Sequence, residues 1–379
     1  MQQSIATAFT NKYGNSPRVF FSPGRINLIG EHVDYNDGFV LPAAIDKGVW
    51  FAVAANNTNN VRCFSNDMNE ELNISLNEVQ KSEGWKNYIL GVVHVLQEAG
   101  LEVKGFDCVF GGNLPVGAGL SSSAAVECGL AYALNEIFNL GKTRKELALL
   151  AQKAEHLYPG VKCGIMDQYA SIMGKKDNII MLDCRSIEHQ YLPFQLKEHT
   201  LVLFNSKVQH SLASGEYNTR RSQCAEGLSV LSQKNPAIKS FRDVTMEELA
   251  KHRSEMDEVV YRRCSYVVRE IEGTRLASEY LTMDRIEDFG KLMYQTHEGL
   301  SKDYEVSCAE LDVLVEQAKH NDVTGSRVMG GGFGGCTINL IKNERLNQVI
   351  ENITSAYEKH FNIKTDVIQV NIGDGTHEV

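Results

Sequence analysis

Residues 113–125 read NLPVGAGLSSSAA, and the segments on either side dictate how this stretch is built. Upstream, GFDCVFGG (105–112) alternates Phe106, Cys108 and Phe110, the period of a half-buried strand ending in glycines. Downstream, Val126, Leu130, Ala133, Leu134 and Ile137 recur at helical spacing. The stretch therefore joins a strand to a helix. Gly117 and Gly119 permit tight turns and close backbone approach to a ligand. Ser121, Ser122 and Ser123 place hydroxyls at the helix start, where free N–H groups and the positive dipole end form an anion site. No lysine follows the glycines, so this is not a Walker A loop, and the glycine spacing is not that of a dinucleotide fingerprint. A Gly/Ser turn with a serine cap is the bland alternative. Three consecutive serines at a strand-to-helix junction weigh against it.

Working outward, the chain has 379 residues, enough for about two or three domains. Its 43% hydrophobic and 23% charged residues are those of an ordinary globular protein. A net charge of -10 argues against non-specific nucleic-acid binding. The nine cysteines form no C-x-x-C pair and no zinc-ligand cluster, and fit reduced thiols in a cytoplasmic protein. The N-terminus lacks a signal-peptide pattern, and no apolar run is long enough to span a bilayer. The partners expected are small molecules, without nucleic acid or membrane. The sequence sets no oligomeric state, and a monomer is compatible with it.

GVWFAVAAN (48–56) reads as a buried strand, and residues 86–99 as a helix with Ile89, Val92, Val93 and Leu96 on one stripe. Thr143 with Glu146 forms a capping box opening a helix whose face is Leu147, Leu150, Ala154 and Leu157. Strands are predicted at 178–183, 200–205, 335–341 and 366–372, with a helix between the last two. Helical patterns cover 216–233, 245–272, 285–301 and 307–320. The mixed order predicts an α+β fold of two lobes, 1–188 and 189–379, divided near RSIEHQ (185–190), with a site in the cleft between them.

Four further segments carry chemistry. GRINLIGEHVDYNDG (24–38) sets Arg25, Glu31, His32 and Asp34 around a short apolar core. Carboxylates such as Glu31 and Asp34 can each accept two hydroxyl hydrogens, which suits vicinal sugar hydroxyls, and Arg25 can neutralise a transferring phosphoryl group or hold a carboxylate. GIMDQYAS (164–171) carries Asp167 beside Gly164, a carboxylate able to orient or deprotonate a nucleophile. SGEYNTRR (214–221) offers Tyr217, a flat face with one hydroxyl. MGGGFGGCTINLI (329–341) is a glycine run around Phe333 that leads into a strand. By residue type alone these segments also read as a solvated ion pair, a capping aspartate, a surface tyrosine and a flexible loop.

Their order changes that reading. The 113–125 loop resembles the phosphate loop of the GHMP kinases, and the 329–341 run resembles their third motif. Residues 24–38 resemble the signature G-R-x-N-L-I-G-E-H-x-D-Y of one family among them, the galactokinases. The segments at 164–171 and 214–221 resemble that family too. The resemblance runs from Gly24 to Ile341, across both lobes. Val328, Met329, Asp37 and Ala125 depart from common family residues, and none removes a proposed catalytic group.

The resemblance implies the two-lobed GHMP kinase fold. It also implies phosphorylation of α-D-galactose at its anomeric hydroxyl by ATP, the first step of galactose catabolism. By it, Asp167 and Arg25 are catalytic, and Glu31, His32, Asp34, Gly164 and Tyr217 bind the sugar. Gly117, Ala118, Gly119, Leu120, Ser121, Ser122 and Ser123 hold ATP phosphates, with Ser65 and Trp85 near the adenine. Ser123 and Glu155 ligate Mg2+. A kinase for N-acetylgalactosamine, galacturonate or arabinose stays open at this point. So does a non-catalytic galactose and ATP sensor, although the intact GLSSSAA and Asp167 weigh against it.

Overall fold

The structure is a computed structural model that describes residues 1–115, 117–209 and 213–379. In chain order, the first half runs α1 (Gln2–Tyr13), β1 (Arg18–Asn27), β2 (Phe39–Val40), β3 (Pro42–Ala55), β4 (Asn60–Ser65), β5 (Glu70–Ser75), α2 (Lys86–Glu98), β6 (Phe106–Gly112), α3 (Ser122–Phe138), α4 (Arg144–Leu157), α5 (Met166–Met173), β7 (Asn178–Asp183) and β8 (Glu188–Pro193). The second half runs β9 (His199–Gln209), α6 (Ala213–Lys234), α7 (Met246–Lys251), α8 (Glu258–Thr282), α9 (Ile286–Glu298), α10 (Ala309–His320), β10 (Gly325–Val328), β11 (Gly334–Lys342), α11 (Leu346–Phe361), β12 (Asp366–Val370) and β13 (His377–Glu378).

Two main sheets organise these elements. The larger has the order β13-β1-β3-β6-β4-β5, antiparallel except where β4 runs parallel to β6. One face packs on α2, α3, α4 and α5 through a large apolar cluster that includes Phe51, Phe106, Leu134 and Leu147. Its other face receives α1, whose Ile5 and Phe9 bury against Ala52 and Val109. The second sheet, β10-β11-β9-β12, is antiparallel throughout. Strand β9 shows the period-two rule: Val202 and Phe204 face α10 and α11, while Leu201 and Leu203 face the other way. That second face meets Ile26, Leu28 and Ile45 of the first half, so one apolar cluster spans both lobes.

The predicted α+β character is observed, and the elements expected around the phosphate loop are present. Three expectations are corrected. The helical pattern at 245–272 is broken after α7: Met256 is extended, and the Asp257 side chain accepts a bond from the Val259 N–H to start α8 afresh. The pattern at 285–301 ends as helix at Glu298 and continues as a π turn, Gly299–Asp303. In α4, Leu157 is 39% exposed, and the buried face is Leu147, Ala148, Ala151, Ala154 and Glu155.

Strand β1 was not anticipated. From Phe20 onward both of its faces are buried, so it shows no alternation, and it contains a proline and a glycine. Segment 185–190, where the lobes were expected to divide, holds the turn of hairpin β7–β8 and the start of β8, in a separate three-stranded sheet, β2-β7-β8.

Candidate active site

Arg25 enters the site from β1. The strand is bulged between Pro23 and Arg25, and a bulge re-aims the side chains that follow it. The buried guanidinium donates from Nε and Nη2 to Asp167 Oδ1 and Oδ2, at 2.8 and 3.0 Å. Its Nη1 donates to the Gly119 carbonyl at 2.5 Å, so one side chain spans the α5 carboxylate and the phosphate loop. Burial works against the Arg25 charge. The Asp167 and Glu31 carboxylates overcome it and hold the pKa above its usual value.

Ser121 adds a third donor, with Oγ 2.5 Å from Asp167 Oδ2. Its backbone is left-handed, at φ 57°, a conformation uncommon outside glycine. The hydroxyl thus turns toward Asp167, and α3 begins without a side-chain cap. Gly119 is also left-handed, at φ 72°. A Cβ there would approach the Met329 carbonyl to 3.2 Å, because the third glycine motif lies against the loop. Ala118 and Leu120 are buried in the core that spans both lobes, and the Leu120 carbonyl accepts from the Arg25 N–H at 3.1 Å. Val116, within the quoted loop, lies outside the described residues.

Arg25, Glu31, His32, Asp34, Asp167 and Tyr217, all anticipated from sequence, line one cavity of about 120 Å³ together with Glu155. Gly164 has a steric reason for its identity: a Cβ there would sit 2.0 Å from Asp34 Oδ2. Burial, reinforced by the nearby Asp167 charge, pushes the Asp34 carboxyl up to about 7. Burial first, then Asp167, does the same to Glu155, also to about 7.

The His32 side chain is already engaged. Its Nε2 lies 3.0 Å from the Gly331 carbonyl, which can only accept, so Nε2 carries the proton. Nδ1 then accepts from the Tyr35 hydroxyl at 2.8 Å. Burial lowers the His32 pKa to about 4, so the ring is neutral. It ties the loop after β1 to the glycine motif and has no ring nitrogen left for a hydroxyl.

The chain has known relatives. Sequence models match for the galactokinase galactose-binding signature at residues 7–55, the GHMP kinase N-terminal domain at 87–175 and the GHMP kinase C-terminal domain at 278–359. A galactokinase of Fusobacterium nucleatum is 39% identical over 375 residues, covering 97% of this chain and 96% of that protein. The chain belongs to the galactokinase family. The crystal structure of Lactococcus lactis galactokinase complexed with galactose superposes with a TM-score of 0.95 at 33% identity, over 100% of this chain and 99% of that one. The mevalonate kinase of Methanococcus jannaschii shares the fold alone, with a TM-score of 0.65 at 20% identity over 95% of this chain and 99% of that one.

In this galactokinase-family chain, Ser65 and Trp85 lie apart from the Asp167 cavity. Ser65 pairs with Phe110 across β4 and β6, and the Trp85 ring meets Phe110 edge-on at 5.3 Å. Trp85 Nε1 donates to Glu70 Oε2 at 3.0 Å. Both therefore gather at Phe110, on the strand that feeds the phosphate loop.

Ser123 neighbours Glu155, where its hydroxyl favours the ionised carboxylate, and Gln168 Nε2 donates to Glu155 Oε2 at 2.5 Å. Among the described residues no three His, Cys, Asp or Glu side chains group as a metal cluster. Residue types alone did not reveal the orientation of Ser121, the engagement of His32, or the buried Arg327 and Glu270 behind Gly30 and Glu31. Each depends on partners more than 40 positions away.

Proposed function

We propose that the protein is a galactokinase that transfers the γ-phosphoryl group of ATP to the anomeric hydroxyl of α-D-galactose, releasing ADP. The observation that carries this reading is the Asp167 carboxylate, oriented by three donors where the sugar cavity meets the phosphate loop. Oδ2 accepts two hydrogen bonds and Oδ1 accepts one. A carboxylate oxygen takes about two acceptor sites, so Oδ1 keeps one for the sugar hydroxyl.

In the step, the anomeric oxygen forms a bond to the γ-phosphorus, the bond from that phosphorus to the β,γ-bridging oxygen breaks, and the hydroxyl proton passes toward Asp167 Oδ1. Arg25, fixed between Asp167 and Gly119, offsets the charge that spreads over the transferring group, which is most of what phosphoryl transfer requires. Glu31, Asp34, Gly164 and Tyr217 bind the sugar. Residues 117–123 supply backbone N–H groups and the Ser122 and Ser123 hydroxyls to the phosphates. The pocket around Ser65, Trp85 and Phe110 takes the adenine.

The residues present also fit Mg2+. Glu155 is a carboxylate whose burial disfavours its charge, and Ser123 adds a second hard oxygen, a donor set suited to an ion held chiefly by nucleotide phosphates. Bound there, the ion would neutralise charge on the phosphate oxygens. The nine cysteines are all unpaired thiols, which supports a cytoplasmic setting.

The test is kcat/KM for galactose, glucose, N-acetylgalactosamine, galacturonate and arabinose at one ATP and magnesium concentration. Galactose is expected to lead. Glucose, which misplaces one hydroxyl against buried polar groups, should fall behind by ~10⁴-fold or more. Another sugar outrunning galactose would leave a sugar kinase but overturn the assignment of its substrate.

A further inference from the structure

The sugar-facing loop owes its shape to two residues that line no part of the substrate cavity. Arg327 on β10 is 0% exposed. Its Nε donates to the Leu28 carbonyl at 2.9 Å. Nη1 donates to the Val328 carbonyl at 2.6 Å and to Glu31 Oε1 at 3.1 Å. Nη2 donates to the Asn27 carbonyl at 2.5 Å and to Glu31 Oε1 at 3.1 Å. A guanidinium has five N–H donors in a fixed fork, and all five are used. The Gly330 N–H brings a third donor to Glu31 Oε1, at 2.8 Å. Glu31 Oε2 has no protein partner among the described residues, and Glu31 lines the cavity beside Asp34 and Asp167.

From the other side, α8 holds the loop backbone. Glu270 Oε1 accepts from the Gly30 and Glu31 N–H groups, at 2.9 and 3.3 Å. Its Oε2 accepts from Thr296 Oγ1 at 2.7 Å. The Tyr266 hydroxyl donates to the Glu31 carbonyl at 2.9 Å. Gly30 cannot shift without consequence: it is left-handed at φ 96°, with the Phe39 carbonyl 2.6 Å from where a Cβ would stand.

We propose that Arg327 and Glu270 are positioning residues for sugar recognition, Arg327 committing one oxygen of Glu31 to the protein so that only Oε2 is presented to a sugar hydroxyl, and Glu270 fixing the backbone that carries it. A buried ion pair is a poor source of net stability, because desolvating both charges offsets their attraction. Its effect here is geometric: a carboxylate free to rotate would satisfy itself on its neighbours and meet the sugar at an entropic cost. Lysine cannot stand in for Arg327, since it has three donors on a flexible stem and no fork.

The inference rests on galactose being the substrate. The experiment is calorimetric binding of galactose and of ATP, each alone, with steady-state kinetics, for the parent, Arg327→Lys and Glu270→Gln. In Arg327→Lys the galactose Kd and KM should rise roughly 10–100-fold, the loss expected when a buried hydrogen bond to a charged group is disrupted. Its kcat should change far less, and its ATP Kd should hold. Glu270→Gln should stay within a few-fold of the parent, because the amide oxygen still accepts from Gly30 and Glu31 while its NH₂ meets Thr296.

Unchanged galactose binding in folded Arg327→Lys would overturn the inference, as would equal losses of galactose and ATP affinity. Should Arg327→Lys show no cooperative unfolding transition, Thr296→Val decides in its place, since it removes only the hydroxyl that anchors Glu270. A selective rise in galactose Kd then supports the inference, and an unchanged Kd overturns it. A parent that binds no galactose would instead overturn the substrate reading itself.

Discussion

Asp167 shows how little of a site lies in its residue types. The carboxylate and Arg25 are 142 positions apart in sequence and 2.8 Å apart in space. Asp167→Asn keeps the shape of the side chain but replaces one carboxylate oxygen with an NH₂ that can only donate, facing Arg25 or Ser121. A lost general base typically costs ~10²–10⁴-fold in kcat, and that is the expected range. ATP affinity by calorimetry should stay near the parent value, since the substitution removes none of the backbone N–H groups of residues 117–123 or the Ser122 and Ser123 hydroxyls. A near-parental kcat would remove Asp167 from the reaction.

Asp34 makes a prediction about pH. The unfolded chain releases this proton near the ordinary carboxylate value of 3.8, whereas the folded protein keeps it to about 7 because burial and Asp167 disfavour the charge. The folded state therefore binds more protons between those values, and stability falls as pH rises through that window. Asp34→Asn cannot ionise and escapes the loss. Without ligands, its Tm should exceed the parent's by a few degrees at pH 8 and converge with it toward pH 4. A Tm difference independent of pH would show that Asp34 is not held protonated.

Helix α4 separates what an element shows in sequence from what it does not. Its start was legible because capping is local: the Glu146 N–H donates to Thr143 Oγ1, and the Thr143 N–H donates to Glu146 Oε2. Thr143→Ala should cost ~1 kcal/mol, read as a lower urea midpoint with kcat unchanged. The buried face was legible only in part, because the choice between Leu157 and the Ala148/Ala151 side depends on where α2, α3 and α5 lie. Leu157→Ala, at an exposed position, should stay within about 0.5 kcal/mol of the parent. A loss as large as that of a core leucine would contradict the observed packing. The break between α7 and α8 carried a local sign in Asp257, but the apolar periodicity on both sides hid it.

At the scale of the whole molecule, the last residues close the first sheet. Strand β13 pairs with β1, Glu378 takes a bidentate contact from Arg18 at 2.7 Å, and the Thr376 and Ser22 hydroxyls meet at 3.0 Å. The apolar face of Ile26, Leu28 and Ile45 is covered by Leu203, Ile338 and Leu340 from the other half. Residues 1–188 expressed alone would lack β13 and leave that face open. They should show no cooperative unfolding transition in urea and should bind a hydrophobic dye, whereas the full chain unfolds cooperatively. A fragment with a sharp transition would mean that the halves are independent folding units.

By itself the sequence determined the strand–loop–helix at 105–138, the capped helix after Thr143, the strand at 200–205 and the set of side chains able to hold a sugar and a phosphate. Each rests on contacts within a few positions, or on a motif whose residues are read in order. Only the tertiary structure decided that Ser121 turns its hydroxyl to Asp167, that the His32 ring is spent between Tyr35 and Gly331, and that Arg327 and Glu270 hold Glu31 from behind. A side chain's role is fixed by which of its donors and acceptors remain free. That depends on partners that chain folding brings from hundreds of positions away, and no local pattern records them.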